Sequence, residues 1–245
     1  MIKEILSFFI DLLFVKKCII CNRIDCETIC VRCFQRIKTK EQRCPACSST
    51  NNFGEFCDNC NKGFYFNGIM VAGDLNDKIL EELIKKFKYK FNKKIGNILG
   101  LFLLNFLKEK INPNPILKKD NLFNEENSII IAVPITKRRE RWRGFNQSFI
   151  LASFISQKTK IPIFNNLIKI KNSKNQASLK KKDREKNLNN CFKIIDPEES
   201  KKILENKKII LVDDITTTGS TINEISKELK KYKPVEIWGL VLAKK

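Results

Sequence analysis

The sequence contains no histidine among its 245 residues. This absence excludes catalytic sites of the Ser-His-Asp and Cys-His kinds, and every metal site with imidazole ligands. Acidic residues are also scarce, with 27 Asp and Glu against 47 Lys and Arg and a formal net charge of +20. A surplus of this size is found in proteins that bind nucleic acid, membrane surfaces or polyphosphate, and also in Lys- and Asn-rich chains without such partners.

The sequence also lacks a transmembrane segment. The apolar stretch of residues 5–15 is interrupted by Ser7 and Asp11, is too short to span a bilayer and lacks a small-residue cleavage site. The helical spacing of apolar side chains in residues 1–17 predicts an amphipathic helix that docks on the rest of the protein. A helix lying on a membrane surface is the alternative. We expect a cytoplasmic protein.

Cysteine, in contrast, is abundant and clustered. Eight of the ten cysteines form four C-x-x-C pairs within 43 consecutive residues. Two such pairs supply four thiolates to one tetrahedral ion, so residues 18–63 are predicted to be a zinc-ribbon-like module with two structural zinc ions. A disulfide framework is the alternative, and pairing of neighbouring pairs is favoured over an interleaved arrangement. The predicted ligands are Cys18, Cys21, Cys30, Cys33, Cys44, Cys47, Cys57 and Cys60.

Residues 64–245 alternate between strand and helix patterns, which predicts an α/β domain with a mostly parallel sheet covered on both faces. Ligands of such sheets bind outside the carboxyl ends of the strands. The predicted strands are 68–73, 129–133, 167–170, 191–195, 209–212 and 235–243. Helices are predicted at 77–91, at 95–110 and, after a loop-to-helix junction at 141–147, up to about residue 158.

Residues 209–220, IILVDDITTTGS, are the most informative segment of this domain. The apolar run predicts a buried parallel strand, and Asp213 and Asp214 follow at its carboxyl end. Carboxylates suit sugar hydroxyls and hydrated magnesium. The hydroxyl-rich turn leads into a helix predicted to begin near Thr221, where N–H groups suit a phosphate. The segment therefore indicates a bound ribose 5-phosphate.

This segment resembles the phosphoribosyl-pyrophosphate motif of type I phosphoribosyltransferases, in which two acidic residues precede a T-G-x-T turn. Further features along the chain are DLLF (11–14), the cysteine pairs with CPAC, IKKFKYK (84–90), AVPITKRRERWRGFNQS (132–148) and Q-A-S-L-x(4)-R-x-x-N-L-x(3)-F (176–192). With these features, the whole chain resembles, more narrowly, the ComF family of competence-associated phosphoribosyltransferase-like proteins. Thr136 departs from this resemblance, because a histidine is expected in that segment.

The resemblance implies a role for each part of the site. Asp213 and Asp214 are expected to contact the ribose 2′- and 3′-hydroxyls, directly or through magnesium. The charged segment 171–190 takes the place of a flexible loop, in which Lys180 and Arg184 neutralise the leaving pyrophosphate. The 5-phosphate loop comprises Thr217, Thr218, Gly219, Ser220 and Thr221, and the diphosphate is expected near Val133, Pro134, Lys137 and Arg138.

The reaction itself is left open by Thr217, which stands where many enzymes of this fold have an acid that acts as a base for the incoming nucleobase. Either the acceptor needs no protein base, or phosphoribosyl pyrophosphate binds without turnover. The resemblance implies a role in DNA uptake, with single-stranded DNA and other DNA-uptake proteins as partners. The alternatives are a metabolic phosphoribosyltransferase acting on an amine or nucleobase, and a regulator that senses phosphoribosyl pyrophosphate.

The segment RWRGFNQ (141–147) has two interpretations. Trp142 and Phe145 between arginines are typical of side chains that stack on nucleic-acid bases. The same pattern also fits a loop-to-helix junction with Phe145 in the core, which is the favoured interpretation for that residue.

Overall fold

The computed structural model of the chain describes residues 17–24, 26, 28–89, 93–111, 124–170 and 190–244. The predicted N-terminal helix, apart from Lys17, lies outside the described residues, as does the charged segment from residue 171 to residue 189.

Four strands belong to the main sheet: β1 (Gly68–Asp74), β2 (Ser128–Ala132), β5 (Lys208–Thr216) and β6 (Glu236–Lys244). They form one parallel sheet in the order β1-β6-β5-β2. The short strands β3 (Leu167–Lys169) and β4 (Phe192–Ile194) pair antiparallel in a separate sheet. The predicted α/β fold with a mostly parallel sheet is confirmed.

Seven helices surround these sheets within the described residues. Their bounds are α1 (Val31–Phe34), α2 (Lys78–Tyr89), α3 (Lys93–Ile111), α4 (Lys137–Arg143), α5 (Gln147–Thr159), α6 (Pro197–Leu204) and α7 (Ser220–Leu229).

Three of these helices, α1, α4 and α6, have no counterpart among the predicted elements. Helix α4 ends within the expected junction, and its first turn is capped by the side chain of Thr136, which accepts a hydrogen bond from the amide of Arg139. Helix α6 begins with Pro197 after a capping aspartate, Asp196, which accepts from the amide of Glu199. Both starts are ordinary N-terminal signals, so the two helices were detectable in the sequence.

The sheet has a hydrophobic core on each face. Because side chains alternate along a strand, Ile210 and Val212 of β5 pack with α2, α3 and α5, whereas Ile209 and Leu211 pack with α7 and β4. The core interpretation of Phe145 is confirmed: the side chain is buried, with its ring centroid 5.5 Å from that of Phe87.

The cysteine-rich module packs against the edge strand β1 through a buried glutamine. The side-chain amide of Gln42 donates to the carbonyl oxygens of Val71 (2.8 Å) and Lys40 (2.6 Å), and its oxygen accepts from the amide of Val71 (2.9 Å). The amide of Lys40 donates to the carbonyl oxygen of Ala72 (2.8 Å). These bonds attach the module to the edge of the sheet that β1 forms.

Candidate functional site

Adjacent strands β2 and β5 bring the two predicted parts of the site together. Ala132 is paired with Val212, and the amide of Val133 donates to the carbonyl oxygen of Val212 at 2.9 Å. The turn after β2 therefore begins beside the acidic pair Asp213 and Asp214, at the carboxyl edge of the sheet where ligands bind in this type of fold.

A polar cavity of about 250 Å³ lies at this edge. It brings together the acidic pair, the end of β2 and the hydroxyl-rich turn after β5. Its lining residues are Lys88, Val133, Pro134, Ile135, Arg139, Arg143, Gln147, Ser148, Lys169, Asp213, Asp214, Ile215, Thr216, Thr217, Gly219, Ser220 and Thr221.

The two carboxyl groups have different surroundings. Oδ1 of Asp213 accepts hydrogen bonds from Oγ of Ser148 (2.8 Å) and from the amide of Asp214 (2.9 Å). Burial and, next, the charge of Asp214 raise the pKa of Asp213 to about 7. Oδ2 of Asp214 instead forms an ion pair of 2.8 Å with Nζ of Lys88. Near neutral pH, Asp213 can therefore donate or accept a hydrogen bond, whereas the carboxylate of Asp214 is paired with Lys88.

The turn after β5 ends at the N-terminus of α7, as predicted to within one residue. Gly219 caps the helix in the left-handed conformation with φ of +76°, and Oγ1 of Thr218 donates to Oγ of Ser220 at 3.0 Å. The N-terminal end of α7 and these hydroxyls are suited to an anion such as phosphate.

The basic residues that line the polar cavity are not those expected from the sequence. Lys137 and Arg138 line a neighbouring cavity of about 660 Å³ and not the one that contains the acidic pair. Lys180 and Arg184 lie outside the described residues. The basic residues that do line the polar cavity are Lys88, Arg139, Arg143 and Lys169.

Two buried donors in the cavity wall have no partner among the described residues: Nε of Arg143 and Nε2 of Gln147. The two side chains contact each other, because Nη1 of Arg143 donates to Oε1 of Gln147 at 3.0 Å. Buried polar groups are usually satisfied, so two orphaned donors beside a cavity indicate a ligand rich in acceptors.

Six polar or charged residues that line this cavity were not predicted from the sequence: Lys88, Arg139, Arg143, Gln147, Ser148 and Lys169. Four of them lie within the segment 132–148 that carried the family resemblance, and this was the available signal. Asn146 positions this segment, since its side chain accepts from the amide of Ser148 (3.1 Å) and donates to the carbonyl oxygen of Val133 (3.1 Å).

The eight predicted cysteine ligands form two groups of four, each with sulfur atoms within 4.8 Å of one another. The groups combine neighbouring C-x-x-C pairs, in agreement with the favoured arrangement. The Sγ–Sγ distance is 3.7 Å both for Cys21 with Cys30 and for Cys47 with Cys57. Thiolates placed tetrahedrally at about 2.3 Å from zinc are separated by about 3.8 Å. The geometry therefore fits two closed zinc sites.

A cavity of about 1050 Å³ lies between the cysteine module and the sheet. It adjoins the polar cavity, because Thr216 and Gly219 line both. Its basic lining residues are Arg36, Lys38, Lys40, Arg43, Lys78 and Lys244, against the acidic Glu41, Asp74 and Asp77.

The fold and the polar site define a phosphoribosyltransferase-like protein. The family profile described as the phosphoribosyl transferase domain matches residues 146–245. The chain is 31% identical to competence protein F of Haemophilus influenzae over 235 residues, which cover 93% of this chain and 97% of that protein. It therefore belongs to the ComF family.

Two further relatives match at lower identity. The competence protein ComFC of Bacillus subtilis is 26% identical, with 80% of this chain and 75% of that protein covered. The DNA utilization protein YhgH of Escherichia coli K12 is 25% identical, with 86% and 89% covered. Among solved structures, a purine phosphoribosyltransferase from Pyrococcus horikoshii Ot3 matches 49% of this chain and 72% of that chain at 18% identity, with a TM-score of 0.30. Within the described residues, no helix combines the length and apolarity needed to cross a membrane.

Proposed function

We propose that the polar cavity binds phosphoribosyl pyrophosphate or ribose 5-phosphate. The 5-phosphate lies on the turn Thr217–Thr221 at the start of α7, and the ribose hydroxyls lie against Asp213 and Asp214. The observation that supports this most is the pair of buried donors without partners on Arg143 and Gln147, which favours an acceptor-rich ligand in the same cavity. The diphosphate is then bound by Arg143 together with Arg139 and Lys169.

The proposal concerns binding of the ligand, and transfer of its phosphoribosyl group is a separate question. Thr217 has a hydroxyl that is a poor base near neutral pH, so a nucleobase acceptor would have to lose its proton without help from this position. Positioning and positive charge are sufficient to stabilise a departing pyrophosphate. Magnesium, which the resemblance implies, would arrive with the diphosphate of the ligand. Release of pyrophosphate with some amine or base would show that transfer occurs.

Calorimetric titration with ribose 5-phosphate and with phosphoribosyl pyrophosphate tests the site. The double variant Asp213→Ala/Asp214→Ala is expected to abolish binding of both ligands. Glu198→Ala/Glu199→Ala is the matched control, because it removes two adjacent acidic residues from the exposed helix α6. Unchanged affinity in the first variant, or equal losses in both, would contradict the assignment.

We further propose that the protein handles single-stranded DNA in the cytoplasm during DNA uptake, as the names of its relatives suggest. Tyr89 and Trp142, 56% and 60% exposed, form an edge-to-face pair with centroids 6.0 Å apart. In the sequence, Tyr89 follows Lys88 and Trp142 precedes Arg143, and both of these basic residues line the polar cavity. Exposed aromatic rings beside basic residues are typical of surfaces that stack the bases of single strands.

Fluorescence anisotropy with a labelled oligonucleotide tests this surface. Trp142→Ala is expected to weaken binding by about 1–3 kcal/mol, the contribution of one stacked base. Tyr65→Ala is the control, since Tyr65 is also exposed but lies on the loop before β1, where its amide donates to Asn223. Affinity should fall steeply with salt and should favour single strands over duplex. Equal effects of the two substitutions would argue against the stacking surface.

A further inference from the structure

The carboxylate of Asp214 already has a cationic partner that belongs to the protein. Nζ of Lys88 lies 2.8 Å from its Oδ2, and the two side chains are only 15% and 13% exposed. Lys88 follows Phe87, which is fully buried in the core at the end of α2. The backbone that carries the lysine is therefore fixed by packing, and the ammonium group is directed to the acidic pair.

The remaining surroundings do not favour a metal ion bound by the protein at this position. Oδ1 of Asp213 accepts two hydrogen bonds, from Ser148 and from the amide of Asp214. Four basic residues line the cavity against two acidic ones, so a divalent cation would enter a site with surplus positive charge. Magnesium also requires about six oxygen ligands in octahedral geometry and gives up its water reluctantly. The residues present fit a ligand anion better than a resident magnesium ion.

We propose that Lys88 takes the place of a divalent cation at the acidic pair, so that the site binds ribose 5-phosphate without metal. An ammonium group has three donors. One is directed to Asp214, and the others are available to the ribose hydroxyl oxygens in the cavity. This inference rests on the proposed function. It concerns the sugar phosphate alone and leaves open a magnesium ion carried by the diphosphate of a larger ligand.

Calorimetry with ribose 5-phosphate, in EDTA and in excess magnesium, tests the proposal on the full-length protein. The expected result is equal affinity in the two conditions. Binding that requires magnesium would overturn the role of Lys88 and leave the proposed function intact. Absence of binding in both conditions would overturn the inference and the proposed function together.

Substitution of Lys88 provides a second test. Lys88→Met should lower the affinity in EDTA at least about tenfold, the effect of losing a hydrogen bond to a charged group, and should regain affinity in magnesium. Lys88→Arg should retain metal-free binding. Lys85→Met is the matched control on the same helix, because Lys85 is exposed and pairs with Glu81 at 2.8 Å. A Lys88→Met protein that binds normally in EDTA would overturn the proposal.

Electron paramagnetic resonance with Mn²⁺ gives a readout that is independent of sugar binding. The unliganded wild-type protein should show no manganese bound at the acidic pair, whereas Lys88→Met should gain a site that Asp214→Asn in the same background removes. Comparison of thermal unfolding curves identifies variants that have lost their fold. A manganese site in the wild-type protein that Asp214→Asn removes would overturn the proposal.

Discussion

Nζ of Lys86 donates a hydrogen bond of 2.9 Å to the carbonyl oxygen of Ile19, which lies between Cys18 and Cys21. Two residues further along the same helix, Lys88 pairs with Asp214. Helix α2 thus contacts the first cysteine group at one point and the acidic pair at another. A change in the first cysteine group therefore has a direct structural route, through α2, to the acidic pair.

The first prediction concerns this route. Cys21→Ser should weaken ribose 5-phosphate binding more than Cys60→Ser, because only the first cysteine group holds the loop that accepts the Lys86 hydrogen bond. Lys86→Met should reproduce part of the loss without removing a ligand. The measurement is calorimetric affinity at equal protein concentration. Equal effects of the two cysteine substitutions would show that α2 does not couple the first cysteine group to ligand binding.

The second prediction concerns metal content. Each cysteine group supplies four thiolates, so purified protein should contain two zinc ions per chain by elemental analysis. Cys21→Ser and Cys60→Ser should each lower the content to about one ion. Because metal binding drives the folding of such small modules, a strong chelator should also lower the unfolding temperature. A wild-type content of one ion would contradict the arrangement of two separate sites.

The third prediction concerns pH. The pKa of Asp213 is raised to about 7, whereas that of an unfolded aspartic acid is about 3.9. The folded protein therefore binds more protons than the unfolded chain between these values, and the free energy of unfolding should fall as pH rises through this interval. Asp213→Asn cannot ionise and should lack this component, so its stability relative to wild type should increase from about pH 5 to about pH 8.

The measurement for this third prediction is denaturant unfolding of both proteins at each pH. The difference between the two curves is used, because groups remote from the site titrate equally in both. Asn retains an oxygen that can accept from Ser148, and Asp214 keeps its Lys88 partner. A difference that does not change with pH would contradict the raised pKa.

The fourth prediction concerns the phosphate turn. Gly219 has φ of +76°, and a Cβ added there would lie 2.9 Å from Cδ1 of Ile69. Gly219→Ala should cost about 1 kcal/mol of stability from the left-handed backbone alone, and it should also lose ligand affinity. Gly63→Ala is the control, since Gly63 has φ of +85° but no described atom near its Cβ position. It should share the backbone cost and keep the affinity. Loss of affinity in both variants would point to unfolding.

The sequence predicted those parts of the site that are contiguous in the chain. The acidic pair, the turn and the cysteine pairs each carry their chemistry within a few residues, and their local geometry follows from strand, turn and knuckle rules. The sequence also predicted that Val133 and Asp213 lie close together, because parallel strands end at a common edge. What could not be predicted was which distant side chains complete the cavity.

The basic residues of the polar cavity show why these distant side chains could not be predicted. When residues 137–143 are taken as a loop, Lys137 and Arg138 are the cations nearest to Pro134. In the helix α4, residues four apart share a face, so Arg139 and Arg143 line the cavity together. Lys88 lies on another helix, and its proximity to Asp214 depends on how α2 packs. The position of Lys88 is therefore tertiary and no local pattern encodes it, whereas the shared face of Arg139 and Arg143 follows once α4 is recognised from its cap.

Gln42 has a consequence for the behaviour of the protein in solution. Strand β1 is a border of the parallel sheet, and unpaired peptide groups on such a border recruit strands from other molecules. The side-chain amide of Gln42 satisfies both the N–H and the C=O of Val71, and Lys40 satisfies the next carbonyl group. The cysteine module therefore covers the polar groups of this edge, and we expect that unfolding the module with a chelator increases aggregation.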